Sequence, residues 1–335
     1  MELKRLGKSE VYVTPMAFGA WAIGGWMWGG AEEEAAIKAI HAAYNAGITT
    51  IDTAPVYGFG RSEELVGKAM KGISRDKYQI LTKFGMNWET EQGEYFFDSV
   101  DNDGMLFRMH KWASKKRVMK ECEDSLRRLA TDYIDLYQIH WPDNTTPISE
   151  TFEAVQQLIE QGKVRASGVC NYNVEQVEEA MQTIQLASNQ VPYSMVNRGI
   201  EKNIIPQAIE KGMGIIAYSP LQRGLLTGKI QPGHRFGEGD TREGNRFYTD
   251  ENIRRTNHLL EELRPIAEKY GVTLSQLVIN WTMRQPGIAC TLVGARNEEQ
   301  VKNNAEAVSF TLSLEDLDQV TTAANRFTLA EEKTV

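Results

Sequence analysis

The 335-residue sequence predicts a (β/α)8 TIM barrel with an N-terminal β-hairpin and long loops at its C-terminal face. Three observations carry the prediction: eight short β-rich runs, helical patterns between them, and two long connections that both follow strands. Several runs are continuous apolar stretches rather than alternating ones, as parallel strands covered on both faces require. An open doubly wound sheet shares this alternation, but no GxGxxG turn follows the first strand, which weighs against it.

After a hairpin-like opening, the strands in order are PMAFGAW, ITTIDTA, YQILTKF, IDLYQIHW, VRASGVC, LASNQVPY, MGIIAYSPL and IACTLVGA. The first helix, AEEEAAIKAIHAAYNAG, carries acidic residues in its first turn and a glycine stop at Gly47. The second, SEELVGKAMKG, opens with Ser62, Glu63 and Glu64 as a capping group. Apolar residues at three- and four-residue spacing mark KKRVMKECEDSLRRLA, SETFEAVQQLIEQGK and NVEQVEEAMQTI. NIIPQAIEKG, TLSQLVINWTMRQ and NEEQVKNNAEA complete the set. Residues 86–114 and 221–256 interrupt this rhythm, and loops of such length in a compact domain are functional or disordered. A single domain over 1–335 accounts for the chain.

Composition narrows the function. At 41% hydrophobic and 24% charged residues, a large core is available and disorder is not expected. A net charge of −8 argues against nucleic acid or an anionic membrane surface as partner. The segment MELKRLGKSEVYV has no apolar signal-peptide core, and no run approaches the ~18 apolar residues of a membrane span. Three scattered cysteines (Cys122, Cys170, Cys290) form no CxxC pair. The expectation is a cytoplasmic protein without a cysteine-based zinc site or any implied metal.

Polar residues stand at the ends of successive strands: Asp52 with Tyr57 close behind, then Lys83, then His140. Singly, Asp52 reads as a turn or capping residue, Tyr57 as a loop aromatic and His140 as a satisfied core histidine. Lys83 is harder to dismiss, because a lysine inside an apolar strand needs a partner. In a barrel all four converge on one mouth, and the group suits proton donation by a phenol. A tyrosine, at a reference pKa of about 10, is too weak an acid at neutral pH, and an adjacent ammonium lowers it. An aspartate beside the lysine keeps that ammonium charged, and a histidine can orient a substrate oxygen.

The stretches GAWAIGG, IDTAPVYGFGRSEELVGKAM, LTKFG, TDYIDLYQIHWPD, GKVRASGVCNYN, AYSPLQRGLLTGK and VGARNEEQVKNN occur in this order at strand ends. On these motifs the chain resembles the aldo-keto reductase family over essentially its whole length, with a layout similar to the bacterial general-stress subgroup. The resemblance implies an NADP-dependent oxidoreductase that interconverts aldehydes or ketones and alcohols by hydride transfer. Asp52, Tyr57, Lys83 and His140 would form its tetrad, with Tyr57 as general acid/base. The cofactor would be NADP, with NAD as the alternative, bound without a Rossmann domain.

By the same likeness Asn171 and Gln190 would bond the carboxamide, and Tyr218 would stack on the nicotinamide ring. Gly19, Ala20, Trp21 and Asp52 are carried over as further cofactor contacts. Ser219, Leu221, Gln222, Gly224 and Leu225 resemble the pyrophosphate-binding segment, with Lys229 just beyond it. Gly294, Arg296, Gln300 and Asn304 would serve the far end of the cofactor, with Arg296 on a 2′-phosphate and Asn304 near adenine. Trp21, Trp88 and Trp141, with Tyr57 and His140, would line an apolar, ring-accepting substrate pocket, although tryptophan is as often core. The substrate would be a small aldehyde, ketone or alcohol.

Two departures stand out. Cys170 occupies a position where many relatives have serine, and a thiol is the weaker donor. Gly294 occupies one where many NADP-preferring relatives have lysine. Two other functions compete: a non-catalytic, cofactor-binding regulatory subunit, and a Schiff-base barrel lyase using Lys83 as nucleophile.

Overall fold

The structure is a computed structural model that describes residues 1–28, 30, 32–237, 240 and 242–330. Ala31, where the first helical pattern begins, residues 238, 239 and 241 of the second long connection, and residues 331–335 lie outside the described residues.

Strands β1 (Lys4–Arg5) and β2 (Tyr12–Val13) pair antiparallel as the opening hairpin. The barrel begins with β3 (Met16–Gly19), α1 (Glu33–Asn45), β4 (Thr50–Asp52), α2 (Arg61–Met70) and β5 (Gln79–Phe84). Next come β6 (Met86–Asn87), β7 (Glu94–Val100), β8 (Leu106–Lys111) and α3 (Lys115–Leu129). Then follow β9 (Ile134–Ile139), α4 (Ile148–Glu160), β10 (Val164–Cys170), α5 (Val174–Ala180), β11 (Leu186–Pro192) and α6 (Ile204–Lys211). The chain continues through β12 (Gly214–Tyr218), α7 (Asp250–Lys269), α8 (Leu274–Met283), β13 (Ile288–Gly294), α9 (Glu298–Ala305) and α10 (Leu314–Arg326).

Eight parallel strands close into a barrel in the order β3-β4-β5-β9-β10-β11-β12-β13, each at one of the apolar runs of the sequence. Ala17, Leu81, Leu136, Ala166, Ile216 and Cys290 cluster with Leu6, Val11 and Val13 of the hairpin segment. The hairpin is therefore the plug of the barrel, at the end away from the strand termini that carry the chemistry. A much larger apolar layer lies between strands and helices.

The long connections are more ordered than the sequence reading allowed. Within residues 86–114, β6, β8 and β7 form a three-stranded antiparallel sheet. Its hairpin turns at Asp101, whose Oδ1 accepts from the amides of Asp103 and Met105 at 2.9 and 2.8 Å. The Asn-Asp-Gly turn between alternating runs was the available signal. The second connection ends inside α7 (Asp250–Lys269), a 20-residue helix that the sequence reading did not anticipate. Thr249 caps α7 by accepting from the Asn252 amide, and Ser313 caps the unanticipated α10 through the Asp316 amide. Ser62 is not the cap expected of it: α2 starts at Arg61, and the Ser62 hydroxyl donates to the Ala20 carbonyl at 2.9 Å. Glu63 is fully buried, accepting from Thr82 at 2.7 Å and Arg128 at 2.6 Å.

One close backbone contact places the segment after β4. A Cβ on Gly58 would lie 2.9 Å from the Gly24 carbonyl carbon, and one on Gly24 would lie 2.6 Å from that of Tyr57. Gly58 also has φ +70°, a region where a side chain strains the backbone. The loop after β3 and the loop bearing Tyr57 thus touch backbone to backbone. We expect Gly58→Ala to destabilise the fold by about 1–3 kcal/mol in denaturant titration, through overpacking against this contact. A neutral result would show that the two loops separate freely.

Candidate active site

Lys83, at the end of β5, is fully buried, and Asp52, at the end of β4, is 2% exposed. The Lys83 ammonium donates to Asp52 Oδ1 at 2.6 Å, to the Thr53 carbonyl at 2.9 Å and to the Tyr57 hydroxyl oxygen at 3.1 Å. All three of its protons have partners. The other Asp52 oxygen accepts from Gln190 at 2.9 Å and from Gln138 at 3.4 Å. Gln190 also donates to Gln138 Oε1 at 3.3 Å. The charge pair is therefore enclosed by donors and acceptors from β4, β5, β9 and β11.

Tyr57 reaches this pair from the turn after β4. Its amide donates to the Ala54 carbonyl at 3.1 Å, and its own carbonyl accepts from Ser62 at the same distance. The His140 ring stands edge-on to Tyr57, with centroids 5.7 Å apart. On another side lies Trp21, with centroids 6.0 Å apart and planes inclined by 28°. The structure brings Asp52, Tyr57, Lys83 and His140 together at one mouth.

Burial governs their electrostatics. Burial pushes the Tyr57 phenol up to about 12; Lys83 pulls it down, and Asp52 pushes it up again. The expectation that Lys83 brings Tyr57 below its ordinary value is corrected here, because desolvation of the phenolate outweighs the nearby ammonium. Burial alone would lower the Lys83 pKa, but Asp52 and then Tyr57 raise it, and the outcome lies above its ordinary value. Burial, and then the Lys83 charge, hold His140 well below its ordinary value, so its ring is neutral. All three cysteines are buried and free. Burial raises the Cys170 thiol, which also senses Lys83 and Asp52.

The other residues singled out in the sequence form an arc beside this group. Gly19 pairs in register with Asp52 on one side and Gly294 on the other. Ala20 is tied to the same place by its amide, which donates to the Asp52 carbonyl at 2.8 Å. Asn171 follows β10, donates to the His140 carbonyl at 3.2 Å and accepts from the Tyr218 hydroxyl at 3.0 Å. Ser219, Leu221, Gln222, Gly224 and Leu225 follow β12 as a tight turn. Within it the Gln222 amide donates to the Ser219 carbonyl at 2.9 Å, and that of Gly224 to Leu221 at 3.0 Å. Lys229 is exposed just beyond.

At the amino end of α9, Arg296 is exposed and its amide donates to Gln300 Oε1 at 2.9 Å. Asn304 donates to the Gly294 carbonyl at 3.3 Å, so Gly294, Arg296, Gln300 and Asn304 share one corner. Glu298 and Glu299 occupy the first turn beside them, with Glu298 paired to Lys302 at 2.6 Å.

The tryptophans divide. Trp21 lies against Tyr57, whereas Trp88 packs on Phe59 and Trp141 on Phe96, at 5.4 and 5.3 Å between centroids. Trp26, stacked on Phe97 and bonded to the Val100 carbonyl at 3.0 Å, fastens the β6-β8-β7 sheet to the same aromatic cluster.

Several participants escaped the sequence reading. Gln138 lies two residues before His140, so strand alternation alone places both on one face. The Thr53 carbonyl carried no side-chain signal. Backbone conformation was equally invisible: Asn171, Ser219, Gln222 and Arg223 all have φ between +45° and +59° without being glycine. Such residues cost of order 1–3 kcal/mol each and gather at ligand-binding sites.

An amide pair, an aromatic ring, a left-handed backbone turn and an exposed arginine at a helix amino terminus suit, in sequence, a carboxamide, a flat ring, a diphosphate and a further phosphate. The donor set therefore fits a nicotinamide dinucleotide. Among the described residues, no group of three or more His, Cys, Asp or Glu is placed to hold a metal ion.

Comparison with known proteins agrees over the whole chain. The family model described as "Aldo/keto reductase family" matches residues 15–325. The chain is 37% identical to the aldo-keto reductase YhdN of Bacillus subtilis, over 96% of this chain and 93% of that protein. It is 34% identical to the NADH-specific methylglyoxal reductase of Escherichia coli, over 92% of this chain and 94% of that protein. Among solved structures, the glycerol dehydrogenase AKR11B4 of Gluconobacter oxydans superposes with a TM-score of 0.87 at 35% identity, covering 99% and 98% of the two chains.

The neutral, half-buried His140 has a measurable cost. Its folded pKa lies below the unfolded value of about 6.5, so the unfolded chain binds the extra proton first. Its contribution is intact above that value and is lost as pH falls towards the folded pKa. We expect His140→Asn to flatten the fall of unfolding free energy between about pH 6.5 and 5 relative to wild type. Identical slopes in the two proteins would contradict the neutral assignment.

Proposed function

The chain belongs to the aldo/keto reductase family, NAD(P)-dependent oxidoreductases of carbonyls and alcohols, and on that premise we propose that Tyr57 donates the proton to the carbonyl oxygen and that NADP is the preferred cofactor. One observation carries the assignment. Lys83 donates to the Tyr57 oxygen at 3.1 Å, so that oxygen is an acceptor towards the barrel and its own proton is directed elsewhere. The elevated pKa of Tyr57 keeps the proton in place at neutral pH.

The residues divide the work in a simple way. Tyr57 delivers a proton to the developing alkoxide, and the Lys83 ammonium stabilises the phenolate left behind. Asp52 holds Lys83 charged, and Gln190 and Gln138 hold Asp52. Neutral His140, edge-on to Tyr57, donates to or orients the same substrate oxygen from a second direction. The nicotinamide ring, when bound, supplies or accepts the hydride. Asn171 and Gln190 would hold its carboxamide, and Tyr218 would stack on one ring face, leaving the other towards the substrate. The turn from Ser219 to Leu225 would receive the diphosphate, and Arg296 with Gln300 and Asn304 the adenosine end. In alcohol oxidation the same groups run in reverse, with Tyr57 accepting the proton.

The Schiff-base reading loses support from the same contacts. All three Lys83 protons are engaged and its pKa is raised, which withholds the lone pair a nucleophile needs. Trp21 and the aromatic cluster of the small sheet border the approach to Tyr57, and small aldehydes or ketones are the substrates they suit. The methylglyoxal and glycerol in the names of two relatives are of that size. No helix among the described residues is long and apolar enough to cross a membrane.

For the cofactor, exposed Arg296 at the start of α9 supports NADP. NAD is the second reading, favoured by Glu298 and Glu299 in that first turn and by Gly294 where a lysine would add charge.

Two experiments test the proposal. Tyr57→Phe should lower carbonyl reduction by about 100- to 10,000-fold while cofactor fluorescence titration stays near wild type. Retained turnover would remove Tyr57 from the acid role. A wild type that binds cofactor yet reduces no aldehyde on a broad panel would favour a regulatory subunit. Arg296→Ala should weaken NADPH about tenfold or more and leave NADH unchanged. An unaltered NADPH-to-NADH ratio would overturn the NADP assignment.

A further inference from the structure

The turn after β12 contains three consecutive residues in left-handed backbone: Gln222 at φ +45°, Arg223 at +46° and Gly224 at +93°. Only the third is a glycine. A non-glycine pair in this region is unfavourable on its own, so something outside the turn must hold it.

Among the described residues, three hydrogen bonds from outside the turn do so. The Tyr248 hydroxyl donates to the Gln222 carbonyl at 2.7 Å, and the Ser194 hydroxyl donates to Gln222 Oε1 at 3.1 Å. Arg242 donates to the Arg223 carbonyl at 3.3 Å. Tyr248 makes the shortest of these contacts. It closes a short 3-10 turn, Arg246–Tyr248, directly before the Thr249 cap of α7. Asn252 of α7 donates to the Arg246 carbonyl at 2.7 Å and fixes that turn from below. The Tyr248 ring is 8% exposed and meets the edge of Phe236 at 5.3 Å between centroids. The Arg242 guanidinium lies over the Phe236 ring at 4.7 Å and pairs with Asp240 at 2.6 Å. The residue before the cap of a 20-residue helix thus grips one carbonyl of the turn.

We infer that Tyr248 is a positioning residue for cofactor binding: its hydroxyl latches the Gln222 carbonyl and keeps the left-handed turn in the shape that receives the diphosphate. This rests on the reading of Ser219–Leu225 as the diphosphate segment. A turn kept in its binding shape spares the cofactor the cost of ordering it. Without the hydroxyl, the strained pair relaxes and part of the binding free energy goes into rebuilding the turn. Tyr248 touches no reacting atom, so its removal bears on affinity and not on proton transfer.

The test uses the full chain, with intrinsic fluorescence titration by NADPH and NADH as well as steady-state kinetics. Tyr248→Phe keeps the ring and its packing on Phe236 and removes only the hydroxyl. Expected is a two- to tenfold rise, about one hydrogen bond in magnitude, in the Kd of both cofactors, with kcat at saturating cofactor not reduced. Ser194→Ala should move Kd in the same direction by less. A second arm separates the latch from general loosening of the loop. Glycine adopts left-handed backbone without strain, so in a Gln222→Gly background the Tyr248→Phe effect on Kd should largely vanish. Equal Kd values for wild type and Tyr248→Phe overturn the latch, as does an undiminished effect in the glycine background. If wild type itself shows no fluorescence change with either nucleotide, the reading of the segment as a diphosphate site fails instead.

Discussion

The structure depends on a single ion pair enclosed inside a closed barrel, Lys83 with Asp52. Neither partner has access to water, and an unpaired charge there would cost several kcal/mol, about 3–5 by the usual penalty for breaking such a pair. The barrel answers with Thr53 and Tyr57 for the ammonium and with Gln190 and Gln138 for the carboxylate. These partners come from three different strands or the turns that follow them. Their relative placement cannot drift without exposing a charge to an empty acceptor. The site is therefore rigid because its electrostatics demand it, and Tyr57 inherits its position from that demand.

Around this fixed centre the mouth is asymmetric. On one side the β6-β8-β7 sheet brings Trp88, Phe96, Phe97 and Phe107 to the opening, with Trp26 fastening it through the Val100 carbonyl. On the other side runs a turn with left-handed backbone at Ser219, Gln222, Arg223 and Gly224, with Asn171 nearby. The first side is built from side chains, the second from amides and carbonyls. That division matches two kinds of guest: apolar carbon on one flank and phosphate oxygen on the other.

What the sequence disclosed follows from what sequence encodes directly. Parallel strands buried on both faces are written as apolar runs, so β3, β4, β5 and β9 to β13 were legible. Asp52, Lys83 and His140 were legible because each ends such a run, and Tyr57 because it stands five residues beyond one. The small sheet was missed because a length argument for residues 86–114 outweighed the alternation in EYFFDSV and LFRMHK. Ser62 resembles a helix cap in every local respect, yet its hydroxyl is claimed by Ala20 from another loop. The acidity of Tyr57 was misjudged for a deeper reason. Sequence lists the charges that act on a phenol but not the loss of water around it, and here that loss prevails. Left-handed backbone at Gln222 and Arg223 has no residue signature at all, since it is imposed by distant anchors.

The same burial has a chemical outcome of another kind. Aldehydes and ketones are electrophiles that condense with free amines and add to thiolates. A protein that gathers them at its mouth exposes its own nucleophiles to them at high local concentration. Here Lys83 is held as an ammonium with every proton engaged, and Cys122, Cys170 and Cys290 are buried with thiols raised above their ordinary values. The thiolate, not the thiol, is the reactive species. Lys83 and the three thiols are thus kept in their unreactive protonation states towards the compounds the mouth receives.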